Sequence, residues 1–121
     1  MKVKCIKTSV DKISIHIIIH DMNGYLSVGR LFDVYGIRFL KGVIYVYIFD
    51  DNHLFEVPIE LFEVVIDKVS SEWVIKVWSN DEITLWPELF YQDDFLENFA
   101  EREFNERKMF ESLRYTIESD S

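Results

Sequence analysis

Residues 26–65 decide the fold of this chain; they read LSVGRLFDVYGIRFLKGVIYVYIFDDNHLFEVPIELFEVV. Residues 30–37 alternate as a strand does, and residues 43–49 are apolar on both faces, which predicts a central strand. Lys41-Gly42 and residues 50–53 have turn chemistry, because Asp and Asn side chains bond their own backbone locally. The stretch therefore predicts antiparallel strands joined by tight turns.

The stretch continues through a corner marked by proline. Residues 54–57 predict a short return strand, and Pro58 suits a turn over residues 58–61 better than a strand interior. Residues 62–66 then predict a closing strand. Several short strands at this spacing are typical of a small closed barrel.

The stretch carries a series of spaced motifs: Leu26-Ser27-Val28-Gly29, Phe32, Val34, Ile48-Phe49-Asp50-Asp51-Asn52, Pro58 and Leu61-Phe62-Glu63. These motifs resemble those of small SH3-like barrel proteins of bacteria. Those proteins often read L-T-x-G-K-x-Y-x-V, then a central strand, a D-D-x-G turn and a P-x-x-x-F-E corner. Arg30, Phe32 and His53 depart from this pattern, since Lys, Tyr and Gly are usual there. The resemblance implies a fold and hardly a function.

The flanking segments predict further strands and a helical end. Residues 3–7 alternate apolar and charged side chains, and residues 13–20 are dense in β-branched side chains before an Asn23-Gly24 turn. Residues 72–78 and 83–86 predict a hairpin. Residues 87–91 predict one helical turn that begins at a proline, and residues 95–117 predict a helix about 35 Å long.

The predicted helix has an interrupted apolar stripe. Glu106 falls on the stripe, so the helix either kinks near Asn105 or its far half, residues 109–117, leaves the barrel and docks on a second copy or a partner. Asp94 and Glu97 form an acidic variant of the capping box at its start. Glu103 and Arg107 have the spacing of an i,i+4 ion pair. The stripe consists of Phe95, Phe99, Phe110, Leu113 and Ile117.

The fold class is therefore predicted as α+β and mainly β: an SH3-like small antiparallel barrel with an added hairpin and a long C-terminal helix. At 121 residues we expect a single domain, with the β barrel and hairpin in residues 1–86 and a C-terminal helical segment in residues 87–118. The single cysteine excludes an internal disulfide framework. The chain shows neither a leader pattern nor an apolar run of membrane length, so we expect a cytoplasmic protein without membrane contact.

Charge is unevenly distributed along the chain. Residues 1–42 hold seven basic and three acidic residues, residues 43–92 hold two and ten, and residues 93–121 hold four and nine, for a net charge of −9. A phosphate backbone is repelled by such a surface, whereas a basic protein is attracted to it. The alternative is that the acidic residues serve solubility alone.

Candidate catalytic and metal-binding residues have simpler explanations. Cys5 has no histidine partner in its motif and is expected to be a buried small hydrophobe. His16 and His20 lie about 13 Å apart on a strand and cannot share one ion, because Zn–N bonds are about 2 Å long. Turn and cap chemistry accounts for Asp50-Asp51 and Asp93-Asp94. We therefore predict a protein that is not an enzyme and needs no cofactor or metal.

The leading functional hypothesis is an acidic inhibitor that binds a basic protein. Small acidic single-domain bacterial proteins of this kind resemble immunity proteins, which neutralise a cognate toxin. The acidic surface then takes the place of nucleic acid on a basic partner, such as a nuclease toxin. Trp86 and Tyr91 are its predicted hydrophobic anchors, with aromatic packing as their alternative role. The predicted partner-binding residues are Asp81, Glu82, Trp86, Glu88, Tyr91, Asp93, Asp94 and Glu97.

Two alternatives belong to other functional classes. The first is an accessory barrel that binds nucleic acid through its basic N-terminal face, although most of the molecule repels phosphate and direct nucleic-acid binding is not expected. The second is a non-catalytic scaffold or homodimer built on the C-terminal helix. The candidate basic face comprises Lys2, Lys4, Lys7, Lys12, Arg30, Arg38 and Lys41.

Overall fold

The computed structural model describes residues 1–8 and 26–119. Within these ranges the fold is α+β and mainly β, as predicted. The expected strand over residues 13–20, with His16 and His20, and the Asn23-Gly24 turn lie outside the described residues. The described strands are β1 (Lys2–Cys5), β2 (Leu31–Asp33), β3 (Gly36–Leu40), β4 (Val43–Asp50), β5 (His53–Pro58), β6 (Phe62–Ile66), β7 (Trp73–Ser79) and β8 (Glu82–Pro87).

The described strands form two separate antiparallel sheets. One sheet has the order β2-β1-β6, and the other has the order β5-β4-β3-β8-β7. The expected closure of these strands into a single barrel is not confirmed. The central strand is β3 and not β4, because β8 pairs with the second edge of β3 and adds the β7–β8 hairpin to the sheet.

The chain crosses from one sheet to the other between β2 and β3. The single strand predicted over residues 30–37 is therefore interrupted at Val34 and Tyr35, which are both buried. The amide of Val34 donates to the carbonyl of Met1 at 3.0 Å, and the amide of Tyr35 donates to the carbonyl of Tyr47 at 2.8 Å. Each backbone group is thus satisfied by a different sheet. Consequently Val34 faces the first core and Tyr35 the second.

Two hydrophobic cores hold the described parts together. The first core packs side chains of the two sheets against each other and contains Val3, Cys5, Val46, Ile48 and Val57 with their neighbours. The second core packs the other face of the larger sheet against the helical segment. Six of its seven buried residues are phenylalanine or tyrosine, and the set consists of Tyr35, Tyr47, Phe90, Phe95, Phe99, Phe110 and Ile117. Burial of these cores supplies the main driving force for folding.

The described residues contain two 3₁₀ helices and two α-helices. A 3₁₀ helix spans Ile59–Leu61 after Pro58, and a second spans Glu88–Tyr91 after Pro87, where the sequence predicts turns. Two α-helices follow, α1 (Phe95–Ala100) and α2 (Phe104–Ser119). The prediction of one continuous helix over residues 95–117 is wrong. The break spans residues 101–103, ahead of the expected kink at Asn105, and Arg102 there has a positive φ of 63°.

The break redirects α2 onto the chain's own core. Phe110 and Ile117 are each 1% exposed and pack in the second core, so the far half of the predicted helix does not leave the fold. The apolar stripe that suggested a homodimer is therefore largely covered within one chain. Glu106 on the stripe is half-buried, and its carboxylate accepts a long bond of 3.5 Å from the side-chain amide of Asn98.

Two local predictions about the helical segment are wrong. Asp94 precedes α1 in a left-handed conformation, with φ of 59°, and makes no side-chain capping bond, so the predicted capping box is not formed. Arg107 does not pair with Glu103; its guanidinium donates to the carbonyl oxygens of Asn52 and Phe99. Arg107 therefore binds backbone carbonyls that the tertiary fold brings close to it, and not the carboxylate of Glu103 four positions earlier.

Candidate protein-binding surface

The predicted aromatic anchors lie in a network of rings beside the β7–β8 hairpin. The ring centroid of Trp86 is 4.9 Å from that of Tyr91, 5.8 Å from that of Tyr47 and 6.3 Å from that of Phe90. Trp86 is half-buried, and its Nε1 atom is buried without a partner within the described part of the chain. Trp86 therefore packs within the fold, as its alternative role requires.

Tyr91 is held by hydrogen bonds to the hairpin. Its hydroxyl donates to the carbonyl of Val74 at 2.7 Å and lies 2.7 Å from Oγ1 of Thr84, which also accepts a bond from Nε1 of Trp78 at 3.0 Å. Thr84 is fully buried. These bonds attach the 3₁₀ helix at residues 88–91 to β7 and β8. They therefore hold the residues that precede α1 in place against the sheet.

The predicted acidic residues divide into two groups in space. Asp81 and Glu82 lie at the beginning of β8, while Glu88 follows its end. Six strand residues at about 3.4 Å each separate the groups by roughly 20 Å. A continuous acidic stretch in sequence is thus split by the length of one strand.

Only one of these two groups is free of charged partners. Glu82 accepts a bond from Nε of Arg38 at 3.1 Å, and Asp81 accepts a bond from the hydroxyl of Ser79 at 2.6 Å. The second group is exposed, and none of its carboxylates forms an ion pair with another described residue. We call this group the acidic α1 surface; it comprises Glu88, Asp93, Asp94 and Glu97.

Two further carboxylates, which were not predicted as binding residues, follow the acidic α1 surface in the chain. Glu101 and Glu103 are both exposed in the break between α1 and α2. The close spacing of acidic residues in the sequence is a signal for such a surface, but the sequence prediction places Glu101 and Glu103 inside one continuous helix. In the structure only Arg102 interrupts the run of acidic side chains at this place. The acidic surface therefore follows α1 from its start to its end.

A partly buried ionic network on the larger sheet was not predicted. Arg38 donates through Nη1 to Glu56 at 3.1 Å and through Nε to Glu82 at 3.1 Å, and the hydroxyl of Tyr47 donates to Glu56. Burial and the neighbouring carboxylate of Glu56 raise the pKa of Tyr47 well above its usual range. Burial opposes the charge of Arg38, but Glu56, Tyr47 and Glu82 raise its pKa overall. The network joins β3, β4, β5 and β8 through one guanidinium that is shared by two carboxylates.

A cavity of about 250 Å³ lies between the larger sheet and α1. Leu54, Leu96 and Phe99 supply apolar walls, and Glu56 and Arg107 lie at its border. Both charged groups are engaged, Glu56 with Arg38 and Arg107 with backbone carbonyls. His53 also lines the cavity, and its Nδ1 lies 2.7 Å from the carbonyl oxygen of Asp51.

The thiol of Cys5 is in the environment that the sequence predicted. The residue is fully buried, and its Sγ lies 3.4 Å from the carbonyl of Lys7. Burial raises its pKa, which keeps the sulfur in the less reactive thiol form. In residues 1–8 and 26–119, no three His, Cys, Asp or Glu side chains are grouped to hold a metal ion.

Much of the candidate basic face is neutralised by ion pairs. Lys7 lies 3.7 Å from Glu60, Arg30 lies 2.6 Å from Asp50, and Arg38 belongs to the ionic network. Lys12 lies outside the described residues. These pairs lower the positive charge that is available to a phosphate backbone.

Comparison with known proteins provides no relative for this chain. No family model, no curated protein and no solved structure matches it. Neither helix of the described segments combines the length and the apolar character that crossing a membrane requires. Any functional conclusion therefore depends on the surface chemistry.

Proposed function

We propose that this chain is a non-catalytic, acidic inhibitor of the immunity-protein kind, which neutralises a cognate bacterial toxin by covering a basic surface. The observation that carries the proposal is the acidic α1 surface. Its four carboxylates are exposed and are not engaged in ion pairs with other described residues. Carboxylates of this kind keep their charge available to a partner.

The packing of α1 on the second core, beneath this surface, supports the same role. Phe95 and Phe99 on α1 are each 2% exposed and pack into the second core, while Asp94 and Glu97 on the same segment face solvent. The carboxylates are thus carried by a segment whose apolar side chains are anchored. Preorganised groups lose less conformational entropy on binding than groups on a mobile loop.

The charge of the whole molecule adds long-range attraction. A net charge of −9 steers a basic partner towards the chain and accelerates association, and this effect weakens as salt screens the field. A nuclease toxin is a suitable partner, because its active surface is built to hold phosphate. The acidic side chains then occupy the positions that phosphates take on that surface.

The SH3-like likeness is part of the proposal. The chain passes from one sheet to the other between β2 and β3, and a 3₁₀ helix at Ile59–Leu61 leads into β6, which pairs with β1. These features support an SH3-like arrangement of β1 to β6, to which β7 and β8 add a hairpin. Such small barrels are suitable scaffolds for binding surfaces, but the fold alone does not imply the function.

The decisive experiment compares two variants that remove equal charge. The variant D93N/D94N/E97Q neutralises three carboxylates of the acidic α1 surface, and the matched control E60Q/E63Q/D67N neutralises three exposed carboxylates at β6 and its flanks. The wild-type chain first isolates basic proteins from a host extract at low salt. Each purified candidate is then titrated with both variants by calorimetry, and its own enzymatic or toxic activity is assayed.

The proposal requires stoichiometric inhibition of one basic partner. We expect D93N/D94N/E97Q to lose at least tenfold in affinity, with a shallower dependence on salt, while the control loses less than twofold. Equal affinities for the two variants would refute the assignment of the surface. A bound partner whose activity is unaffected would refute inhibition.

A further inference from the structure

The larger sheet extends beyond the smaller sheet that covers it. The first core contains Val46, Ile48 and Val57 from β4 and β5, which pack against the three-stranded sheet. Strands β7 and β8 lie at the opposite end of the five-stranded order. On the same face, Ile75 of β7 is 63% exposed and Val77 is 65% exposed. Within residues 1–8 and 26–119, this end of the sheet is therefore uncovered.

A row of apolar side chains runs across this uncovered end in register. Val77 pairs with Ile83, Ile83 pairs with Phe39, and Phe39 pairs with Ile44. Directly paired residues share a face, and three strand spacings of about 4.8 Å give the row a length of roughly 14 Å. Phe39 is 36% exposed and Ile44 is 39% exposed. We call Phe39, Ile44, Ile75, Val77 and Ile83 the overhang surface.

The opposite face of the same strands is occupied by the chain's own contacts. There Lys76 lies over the ring of Trp78 at 3.8 Å, and Tyr91 bonds to Thr84 and Val74. The contact of Tyr91 with the hairpin therefore lies on the face opposite the overhang surface. On that opposite face Val74 and Trp78 are still 42% and 47% exposed. Exposed apolar patches that span several strands mark interaction sites in soluble proteins.

The overhang surface suits packing on its face better than strand addition at its edge. Strand β7 is an edge strand, and it carries Lys76 in its middle and an irregular register between Val77 and Ser79. Both features discourage pairing with a further strand. A shallow groove of about 250 Å³, lined by Ile44, Pro58 and Ile59 among others, continues the row at its far end.

Charges near this surface select the kind of occupant. Glu72 and Asp81 are exposed at the two ends of β7, and Lys41 beside Asp81 is the basic residue at this rim. A second copy of the chain brings the same rim charges and a further net charge of −9. Charge complementarity therefore favours a partner whose apolar patch is ringed by basic side chains.

We propose that the overhang surface is a second contact area for the basic protein partner, and that it receives an apolar patch with a basic rim. The identity of that partner as a toxin rests on the proposed function. The overhang surface supplies apolar burial, and the acidic α1 surface, on the opposite face of the larger sheet, supplies attraction and orientation. A partner that uses both surfaces therefore extends around the edge strand β7. Apolar contact lowers the dissociation rate, and peripheral charge raises the association rate.

The test uses two synthetic probes in place of the partner. Each is a cyclised β-hairpin peptide with four apolar side chains on one face, surrounded by Lys in the first and by Glu in the second. Binding to the full chain is measured by NMR titration of backbone amides. We expect the lysine-ringed hairpin to shift the amides of Ile75, Val77 and Ile83, and the glutamate-ringed hairpin to bind at least fivefold more weakly.

Matched variants locate the binding surface. I75T/V77T keeps β-propensity but removes apolar surface, and it should weaken the lysine-ringed hairpin at least fivefold. V64T/V65T makes the same change on β6, where the residues are 39% and 50% exposed, and should leave binding unchanged. The proposal is overturned if both variants weaken binding equally, if the two hairpins bind equally or if neither binds.

Two further measurements separate this inference from its premise. In D93N/D94N/E97Q, the lysine-ringed hairpin should still shift the amides of Ile75 and Val77. This expectation concerns the overhang surface alone and stands even if the toxin hypothesis fails. Sedimentation of the wild-type chain and of I75T/V77T identifies self-association. A dimer that I75T/V77T abolishes would assign the overhang surface to a second copy and overturn the proposal.

Discussion

The guanidinium carbon of Arg107 lies 3.7 Å from the centroid of the Phe99 ring. The same guanidinium donates to the carbonyl of Phe99 at 2.7 Å and to the carbonyl of Asn52 at 2.6 Å. One side chain near the start of α2 thereby joins the end of α1 and the β4–β5 turn. Burial lowers the pKa of Arg107, but it remains charged at neutral pH.

Truncation of Arg107 should loosen this junction. R107A removes two charge-assisted hydrogen bonds and the stacking on Phe99, so we expect the free energy of unfolding to fall by about 2 kcal/mol. K108A, at the exposed neighbouring position, is the matched control and should change it by less than about 0.5 kcal/mol. Urea denaturation of both variants measures the difference. Equal effects would show that the junction contributes nothing specific.

Two phenylalanines on α2 should respond very differently to truncation. Phe110 is 1% exposed, and its ring centroid lies 5.0 Å from that of Phe49 and 4.8 Å from that of Phe99. F110A should therefore cost about 3–5 kcal/mol of unfolding free energy, from lost burial and the cavity left behind. Phe104 is 75% exposed, and F104A should change stability by about 0.5 kcal/mol or less. Thermal or urea unfolding that ranks the two variants equally would contradict the packing of α2 on the second core.

The carboxylate of Glu118 should make stability dependent on pH. It accepts bonds from the hydroxyl of Tyr35 at 2.9 Å and from Nε of Arg114 at 2.8 Å. Burial raises its pKa, but these bonds outweigh burial and lower the pKa below the ordinary value of 4.5. The stabilisation is therefore present above the unfolded pKa of about 4.5 and is lost as pH falls through the lower folded pKa.

The variant E118Q tests this sign directly. Because the side chain is 39% exposed, we expect E118Q to lose less than about 1 kcal/mol of unfolding free energy at pH 7. The difference from the wild type should shrink towards zero as the pH is lowered to about 3. E111Q is the control, since Glu111 is 63% exposed and lies 3.8 Å from Arg114. A difference for E118Q that grows on acidification would contradict the direction of the pKa shift.

Local sequence patterns predicted most of the strands between residues 30 and 87. The turns at Lys41-Gly42 and residues 50–53 coincide with residues of positive φ in the structure, and the corner after Pro58 is a 3₁₀ helix. Such features depend on the intrinsic backbone preferences of a few neighbouring residues. They are therefore readable from the sequence without knowledge of the fold.

Contacts between distant residues escaped prediction. Arg38 and Glu82 are 44 positions apart, and no local pattern relates them; their ion pair exists because β3 and β8 are neighbours in the sheet. The break between α1 and α2 was not predicted for a related reason, because the spacing of the apolar stripe is compatible with one continuous helix. Packing of both Phe99 and Phe110 into one core determines where the helix ends.

The candidate binding surface was only partly foreseen. Sequence composition indicated an acidic second half and named Glu88, Asp93, Asp94 and Glu97 among the predicted binding residues. It also included Glu82, Trp86 and Tyr91, which the structure places in intramolecular contacts. An exposed carboxylate and a paired one look identical in a sequence, because pairing depends on which strands become neighbours.

The sequence by itself determined the mainly β class, the places of most turns and the acidic balance of the chain. Each of these follows from local backbone preference or from composition, which do not require tertiary contacts. Only the tertiary structure decided the addition of β8 to β3, the break before α2 and the exposure of Ile75 and Val77 on one face. These outcomes depend on strand register and on burial between segments far apart in the chain, and those are properties of the packed fold as a whole.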